Sequence, residues 1–259
     1  MFLKIYLTLF SFLISISSAQ ISGEEIIKRM NQNPKPSDIK INFKMTLFSN
    51  SKKNANKKHY RLMEQAEKRY QDGEFKSKLL LRFIEPKEVR GFSLLNWSWV
   101  GERNDDQWLY IPKLRKTKRI RPSDKSRKFQ GTEFTYEDFI KREADLDRYK
   151  LLGSNNFKGS RCYLVEANPI NDSSHGLRIF WIDDIDYLLR KVEYFNDAQE
   201  IVKILEIFDY VKNNQYWTPT KKIMKNLLNG SSTKMEVVSV VYDQDLSDDF
   251  FSEKSLRRF

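Results

Sequence analysis

Ile39, Ile41, Phe43, Met45 and Leu47 alternate with Lys40, Asn42, Lys44 and Thr46. A period of two with one polar side predicts an antiparallel strand packed on one face and wet on the other. Similar runs recur along the chain. A second strand is predicted through Tyr60 and Leu62 to Tyr70, and a third in "FKSKLLLRFI", which ends before Pro86. "GFSLLNWSWV" and "QWLYIPKL" give a fourth and a fifth, with Pro112 marking an edge or a bulge because it cannot donate to a ladder. From Tyr149 to Asp243 seven more runs of strand length follow. Turn pairs separate them, among them Asn155-Asn156, Asn171-Asp172, Asn213-Asn214 and Asn229-Gly230. No strand–helix–strand alternation, internal repeat or linker divides the chain.

Two segments read as helices. Ser22 followed by Glu25 fits a capping box, and Ile26, Ile27 and Met30 share a helical face. Asn33-Pro34 should end that helix. In residues 135–142, Thr135 is placed to cap, Asp138 stands at the third helical position, and Phe134 and Phe139 have the spacing of a hydrophobic staple. The expected object is mainly β: one large curled antiparallel sheet with two or three helices covering its concave face.

Composition adds the compartment. Lys4, an apolar stretch from Ile5 to Ile16 and the small residues Ser17, Ser18 and Ala19 read as a signal peptide over residues 1–19, leaving residues 20–259 as a single exported domain. No later stretch has the ~20 apolar residues of a membrane span. A periplasmic location is expected. Cys162 is the only cysteine, which excludes an internal disulfide and a thiolate zinc site.

The formal net charge is +11. Much of it lies in "KLRKTKRIRPSDKSRK", residues 113–128, expected as a loop after the fifth strand, with nine cations against Asp124 alone. Lys and Arg beside aromatics can track nucleic-acid phosphates, but an exported chain meets anionic membrane surfaces and acidic partners instead. Each basic residue near such a surface contributes about 1 kcal/mol, screened by salt. Transient membrane contact is therefore expected, and nucleic acid is not. The chemistry-bearing residues are sparse. His59 and His175 are the only histidines and belong to no zinc motif. No nucleophile elbow, P-loop or dinucleotide fingerprint occurs. Asp183, Asp184 and Asp186, like Asp243, Asp245, Asp248 and Asp249, read as solvated turns, not calcium loops. Neither an enzyme nor a metal or cofactor is expected.

The segment "QWLYIPKLRKTKRIRPSDKSRKFQGTEFTYEDF" resembles the signature of the LolA-like outer-membrane lipoprotein-sorting proteins. The matching residues are Trp108, Tyr110 and Pro112, the basic Arg115 and Arg119, then Gly131, Phe134, Tyr136, Glu137 and Asp138. Thr132-Glu133 stand where the family commonly has Ser-Asp. The resemblance implies an open half-barrel closed by helices around an apolar cavity, binding of acyl chains of a lipoprotein or lipid, and association with RND-type exporters. It makes the motif residues structural.

On that reading the protein is a periplasmic carrier or chaperone working between an inner-membrane exporter and an outer-membrane acceptor. The alternative is a sensor or accessory module of the same fold that regulates a membrane partner. Apolar residues that share a strand face are the candidates to line the cavity: Leu79, Leu81 and Phe83; Leu95, Trp97 and Trp99; Leu177, Ile179 and Trp181; and Leu205. Arg115, Lys118, Arg119 and Arg121 are the candidates for a basic rim.

Overall fold

The computed structural model describes residues 21–50, 58–101, 103–170 and 176–258. The expected signal peptide, His175 and the Asn171-Asp172 turn lie outside them. The alternating runs of the first half form β1 (Asp38–Phe48), β2 (Lys58–Arg69), β3 (Phe75–Glu85), β4 (Ser93–Trp99), β5 (Asp106–Ile111) and a short β6 (Lys116–Arg119). The second half forms β7 (Asp147–Phe157), β8 (Ser160–Pro169), β9 (Arg178–Asp183), β10 (Leu189–Phe195), β11 (Ile201–Asn213), β12 (Tyr216–Asn226) and β13 (Ser232–Tyr242).

All thirteen strands belong to one sheet, in the order β6-β5-β4-β3-β2-β1-β13-β12-β11-β10-β9-β8-β7. Each half is an antiparallel meander. One long-range pairing joins them, β1 to β13, running from Ile39 opposite Tyr242 to Phe48 opposite Ser232. The sheet stays open, with β6 and β7 as its edges.

Period two sorts the side chains onto two faces. The inner face carries Ile39, Ile41, Phe43 and Met45 of β1, Met63 of β2, Leu79, Leu81 and Phe83 of β3, and Met224 and Met235 from the far half, all in one buried cluster. The outer face carries Ala66, Leu80, Leu95 and Tyr110. The C-terminal tail folds across that outer face in two 3-10 turns, Asp248–Phe251 and Ser255–Arg257, and buries Phe251 and Leu256 there. Phe251 and Leu256 there meet the apolar stripe that runs from Ala66 of β2 to Tyr110 of β5.

The first helix forms as expected. α1 (Gly23–Gln32) is capped by Ser22, whose Oγ accepts from the Glu25 amide at 3.1 Å. Ile26 and Ile27 pack on Val165 of β8 and Ile182 of β9, covering the β7 end of the inner face. Gly23 is required by contact: a Cβ there would come within 3.0 Å of the backbone of Lys150 and Leu151.

Three local expectations are corrected. Asn155-Asn156 continues β7, opposite Cys162 and Arg161. The reversal falls at Lys158-Gly159, both at positive φ (50° and 88°), the two-residue geometry that suits hairpin twist. The basic run is not wholly loop. Arg115 turns the chain in the left-handed region (φ 49°) after the Pro112–Leu114 turn, and Lys116–Arg119 pairs with β5 as an edge strand. Lysine-rich edges resist further strand pairing. Finally, residues 135–142 form no α-helix, only a 3-10 turn at Glu137–Phe139, so α1 is the single α-helix among the described residues.

Phe251→Ala should cost about 3–5 kcal/mol, because the ring is fully buried and the tail closes over it. Urea unfolding of the variant against the parent protein checks this, and an unchanged midpoint would show the tail to be dispensable.

Candidate functional site

The chain leaves the sheet at β6 and re-enters at β7, on the opposite edge. Residues 120–146 therefore cross the whole sheet, and they do so over the inner face. This strap is short turns and extended backbone, pinned on itself by a bridge between Lys128 and Thr135. It inserts aromatic rings into the inner face. Phe129, Phe134 and Tyr136 are buried. Phe129 stacks on Phe83 with centroids 5.3 Å apart and meets Tyr136 at 5.5 Å and Phe139 at 5.0 Å. The expected staple exists in altered form, as a Phe134–Phe139 contact at 5.7 Å. Asp138 accepts from both the amide and the hydroxyl of Thr135, at 2.6 and 2.8 Å, the return bond of the expected capping box, but only one 3-10 turn follows and Ile140 leaves it in extended conformation. Asp138 also binds Lys203 of β11 at 2.5 Å.

Polar ties hold the strap to the sheet. The Glu133 carboxylate accepts from Lys128, Ser231 and Asn226 at 2.7, 2.5 and 3.0 Å, and its amide donates to Thr233 Oγ1. Burial pushes the Glu133 carboxyl up, but those three donors outweigh it and hold the group below the ordinary carboxylate range. Arg61 donates to the Gln130 carbonyl at 2.6 Å. Beneath the strap, Lys222 of β12 lies over the rings of Phe43 and Phe134, 5.7 and 5.4 Å from their centroids. Burial lowers its ammonium to about 8, with Asp138 pulling the other way.

Of the residues expected to line a cavity, only Leu79, Leu81, Phe83 and Leu205 come together, on the inner face around the strap. Leu95 and Trp97 lie on the outer face under the tail, where the Trp97 indole donates to the Phe251 carbonyl at 2.8 Å. Trp99 packs on Phe75 at 4.3 Å and donates to Asp106. Ile179 and Trp181 of β9, with Leu177 just ahead, also face outward. Trp181 donates to Glu193 at 3.2 Å and lies under Lys191.

The basic residues Arg115, Lys118, Arg119 and Arg121 are all exposed at the β6 edge. Arg119 is tied to the buried Asp106, whereas no ion pair among the described residues holds Arg115, Lys118 or Arg121. The motif residues divide in place. Trp108, Tyr110 and Pro112 build β5 and its exit, while Gly131, Phe134, Tyr136, Glu137 and Asp138 are the strap itself. Sequence reasoning missed Lys222, Glu133 and Arg61. The signal for Lys222 was one lysine at an inward position of a strand.

Two hollows among the described residues lie near the strap and the tail, neither enclosed by apolar walls. One of about 420 Å³ lies beside the strap, and one of about 380 Å³ lies between Trp97 and the tail. Among the described residues no group of three His, Cys, Asp or Glu could hold a metal, and no helix is long and apolar enough to cross a membrane.

This open thirteen-stranded sheet is a LolA-like fold, and comparison with known proteins agrees. A family model described as "Uncharacterized protein" matches residues 76–258, and the chain belongs to that family. An outer membrane lipoprotein-sorting protein domain from Vibrio parahaemolyticus is 29% identical with a TM-score of 0.82, over 91% of this chain and 98% of that one. A DUF1329 family protein from Desulfovibrio piger is 26% identical with a TM-score of 0.83, over 90% and 97%. A LolA superfamily protein from Nitrosomonas europaea shares the fold at 14% identity and a TM-score of 0.70, over 91% of this chain and 100% of that one. No curated protein matches the chain.

Two outcomes follow from the strap's charges. Because Glu133 is held below its unfolded value, its stabilisation is complete above that value and is lost as pH falls through the folded one. As pH falls from about 5 the parent should therefore lose more stability than Glu133→Gln, read from urea midpoints. Lys222 has the opposite arrangement. Its depressed value penalises folding below about pH 8, and the penalty fades as pH approaches the ordinary lysine value of ~10.4. Lys222→Met should gain about 1–2 kcal/mol at pH 7 and almost nothing near pH 10.5. An equal gain at both would remove the charge explanation.

Proposed function

We propose that the protein is a non-enzymatic periplasmic carrier that takes up acyl chains of a lipoprotein or lipid on its inner face and passes them toward the outer membrane. The supporting observation is the strap. Phe129, Phe134, Tyr136 and Phe139 occupy an apolar face that the sheet does not close by itself, and a few polar ties hold them there. Rings in that place stand where hydrocarbon would go.

The magnitudes favour exchange. Burying four such side chains is worth about 1.5–3 kcal/mol each, so about 6–12 in all. An acyl chain of roughly 16 carbons gains about 12 kcal/mol gross at ~0.8 per CH₂. Replacing one by the other is close to balanced, so the grip stays weak enough for release. The likeness to a lipoprotein-sorting domain supports the same role. An inner-membrane exporter of the RND type and an outer-membrane acceptor are the partners this reading requires, without a cofactor.

A second reading, a sensor or accessory module docked on a membrane protein, rests on the β6 edge. Lys113, Arg115, Lys116, Lys118, Arg121 and Lys125 lie there with no ion pair among the described residues. They suit an acidic partner or an anionic membrane surface.

Mass spectrometry of lipids extracted from the purified protein, with titration of a fluorescent fatty acid, tests carriage. Asp138→Asn and Glu133→Gln loosen the strap and should raise the rate of fatty-acid uptake several-fold while leaving the sheet folded. If neither the parent nor the loosened variants bind fatty acid or retain lipid, the carrier reading fails. A stable protein partner captured by the lipid-free protein would then favour the second.

A further inference from the structure

The strand ends of the sheet form two rims, and the rims differ in chemistry. The β5–β6 turn follows Ile111, which pairs with Lys116. The end of β5 lies beside the start of β4, and the end of β3 beside the start of β2. Phe48, the last residue of β1, pairs with Lys58 and with Ser232, and Ser232 pairs with Lys225. The β5–β6, β3–β4 and β12–β13 turns and the junction of β1 with β2 therefore share one rim, in sheet order. Eight neighbouring strands make seven spacings of about 4.8 Å, or ~34 Å of rim.

Exposed apolar side chains recur along it. Leu227 and Leu228 at the β12–β13 turn are 47% and 77% exposed, Tyr60 near the start of β2 is 51%, and Leu114 is 55%. Leu114 ends the Pro112–Leu114 turn and Arg115 then reverses the chain, so this leucine sits at the hairpin tip. Cations stand beside these tips. Lys58, Lys87, Arg90, Lys113, Arg115 and Lys116 are exposed, and no ion pair among the described residues holds any of them. Glu85 and Glu88 are the acids of the same turns. Over the same strands the opposite rim has the reverse sign, with Asp72, Glu74, Asp105, Asp243 and Asp245 against Lys35 and Arg103.

The spacing of the tips selects the kind of partner. A folded protein is held through one contiguous patch with a packed centre, and single side chains spread over ~34 Å do not make one. A fluid bilayer accepts each tip separately. Leucine enters the interface while neighbouring Lys and Arg remain at the headgroups, and anionic headgroups attract them.

We propose that this rim docks the protein on an anionic lipid bilayer, with Leu114, Leu227 and Leu228 entering the interface and the cations of the neighbouring turns on the headgroups. The docking rests on the second reading for the free cations of the β5–β6 turn, names a bilayer as their partner, and does not require acyl carriage. The strap is tied just behind the same rim, where Glu133 accepts from Asn226 and Ser231 and Arg61 donates to the Gln130 carbonyl. Docking therefore brings that end of the inner face toward the lipid.

The test is flotation of the purified protein with phosphatidylcholine vesicles, with and without phosphatidylglycerol. The parent should float only when phosphatidylglycerol is present, and added salt should release it. K113Q/R115Q/K116Q should lower the partition coefficient at least about tenfold. K28Q/R161Q/K212Q removes the same charge away from the rim and should change it by less than about twofold. L114S/L228S keeps every charge and should weaken binding several-fold. All these positions are exposed, and circular dichroism confirms that each variant is folded. The proposal is overturned if the parent does not float, if the two triple variants lose binding equally, or if L114S/L228S floats as the parent does. It is also overturned, in favour of an acidic protein, if the lipid-free protein captures a partner through Lys113, Arg115 and Lys116 and ignores vesicles. Fatty-acid titration of the same variants without vesicles separates the two ideas. Fatty-acid binding that survives in a protein unable to float removes docking alone, whereas flotation without fatty-acid binding removes carriage and leaves docking standing.

Discussion

The structure depends on the pairing of β1 with β13. Every other pairing joins strands consecutive in sequence. The single long-range ladder makes one sheet of two and sends β6 and β7 to opposite edges. The connection between them must then span twelve strand spacings of about 4.8 Å, ~58 Å if the sheet were flat. The 27 residues from Ile120 to Leu146 reach ~90 Å when extended, enough to cross but not to go around. A long segment is thereby laid over one face, and it must satisfy whatever that face presents.

What the inner face presents is hydrocarbon, so the strap carries rings. The two faces are closed by different means. On the outer face, the tail ends in fully buried Phe251 and Leu256, and Arg82 donates to the Ser255 carbonyl. On the inner face, the strap's rings are seated between polar ties at Glu133, Asp138 and Gln130. The carboxylates of those ties are themselves buried, Glu133 at 7% and the Asp138 side chain at 5% exposed, so the strap is held by charge-assisted bonds where the tail is held by apolar contact.

Most of the fold was legible because period two is a local signal. Lys40, Asn42 and Lys44 between Ile39, Ile41 and Phe43 needed no tertiary information to announce a half-buried strand. The failures share one cause. At residues 135–142 the capping pattern was genuine and Asp138 does return to Thr135, yet its ion pair with Lys203 of β11 and the packing of Phe134 and Phe139 on the inner face outweighed the weak local preference for helix. At Asn155-Asn156 two good turn residues were passed over for Lys158-Gly159, where Gly159 takes a positive φ without strain. At Lys116–Arg119 the charges suggested solvent, and solvent does bathe them, but their backbones still pair with β5.

By itself the sequence determined which residues alternate, where the chain turns, and that the product is a large antiparallel sheet with a capped first helix and a basic edge. The family motif followed from it as well, although the motif proved to be half strand and half strap. Only the tertiary structure decided which alternating sets share a face. Leu79 and Leu95 look equivalent along the chain, yet one lies under the strap and the other under the tail. The pairing of Asp138 on the strap with Lys203 on β11 was equally invisible, since the two carry no common spacing. Local period fixes the alternation within a strand, whereas the assignment of faces and the meeting of distant charges depend on register and closure, which are properties of the whole sheet.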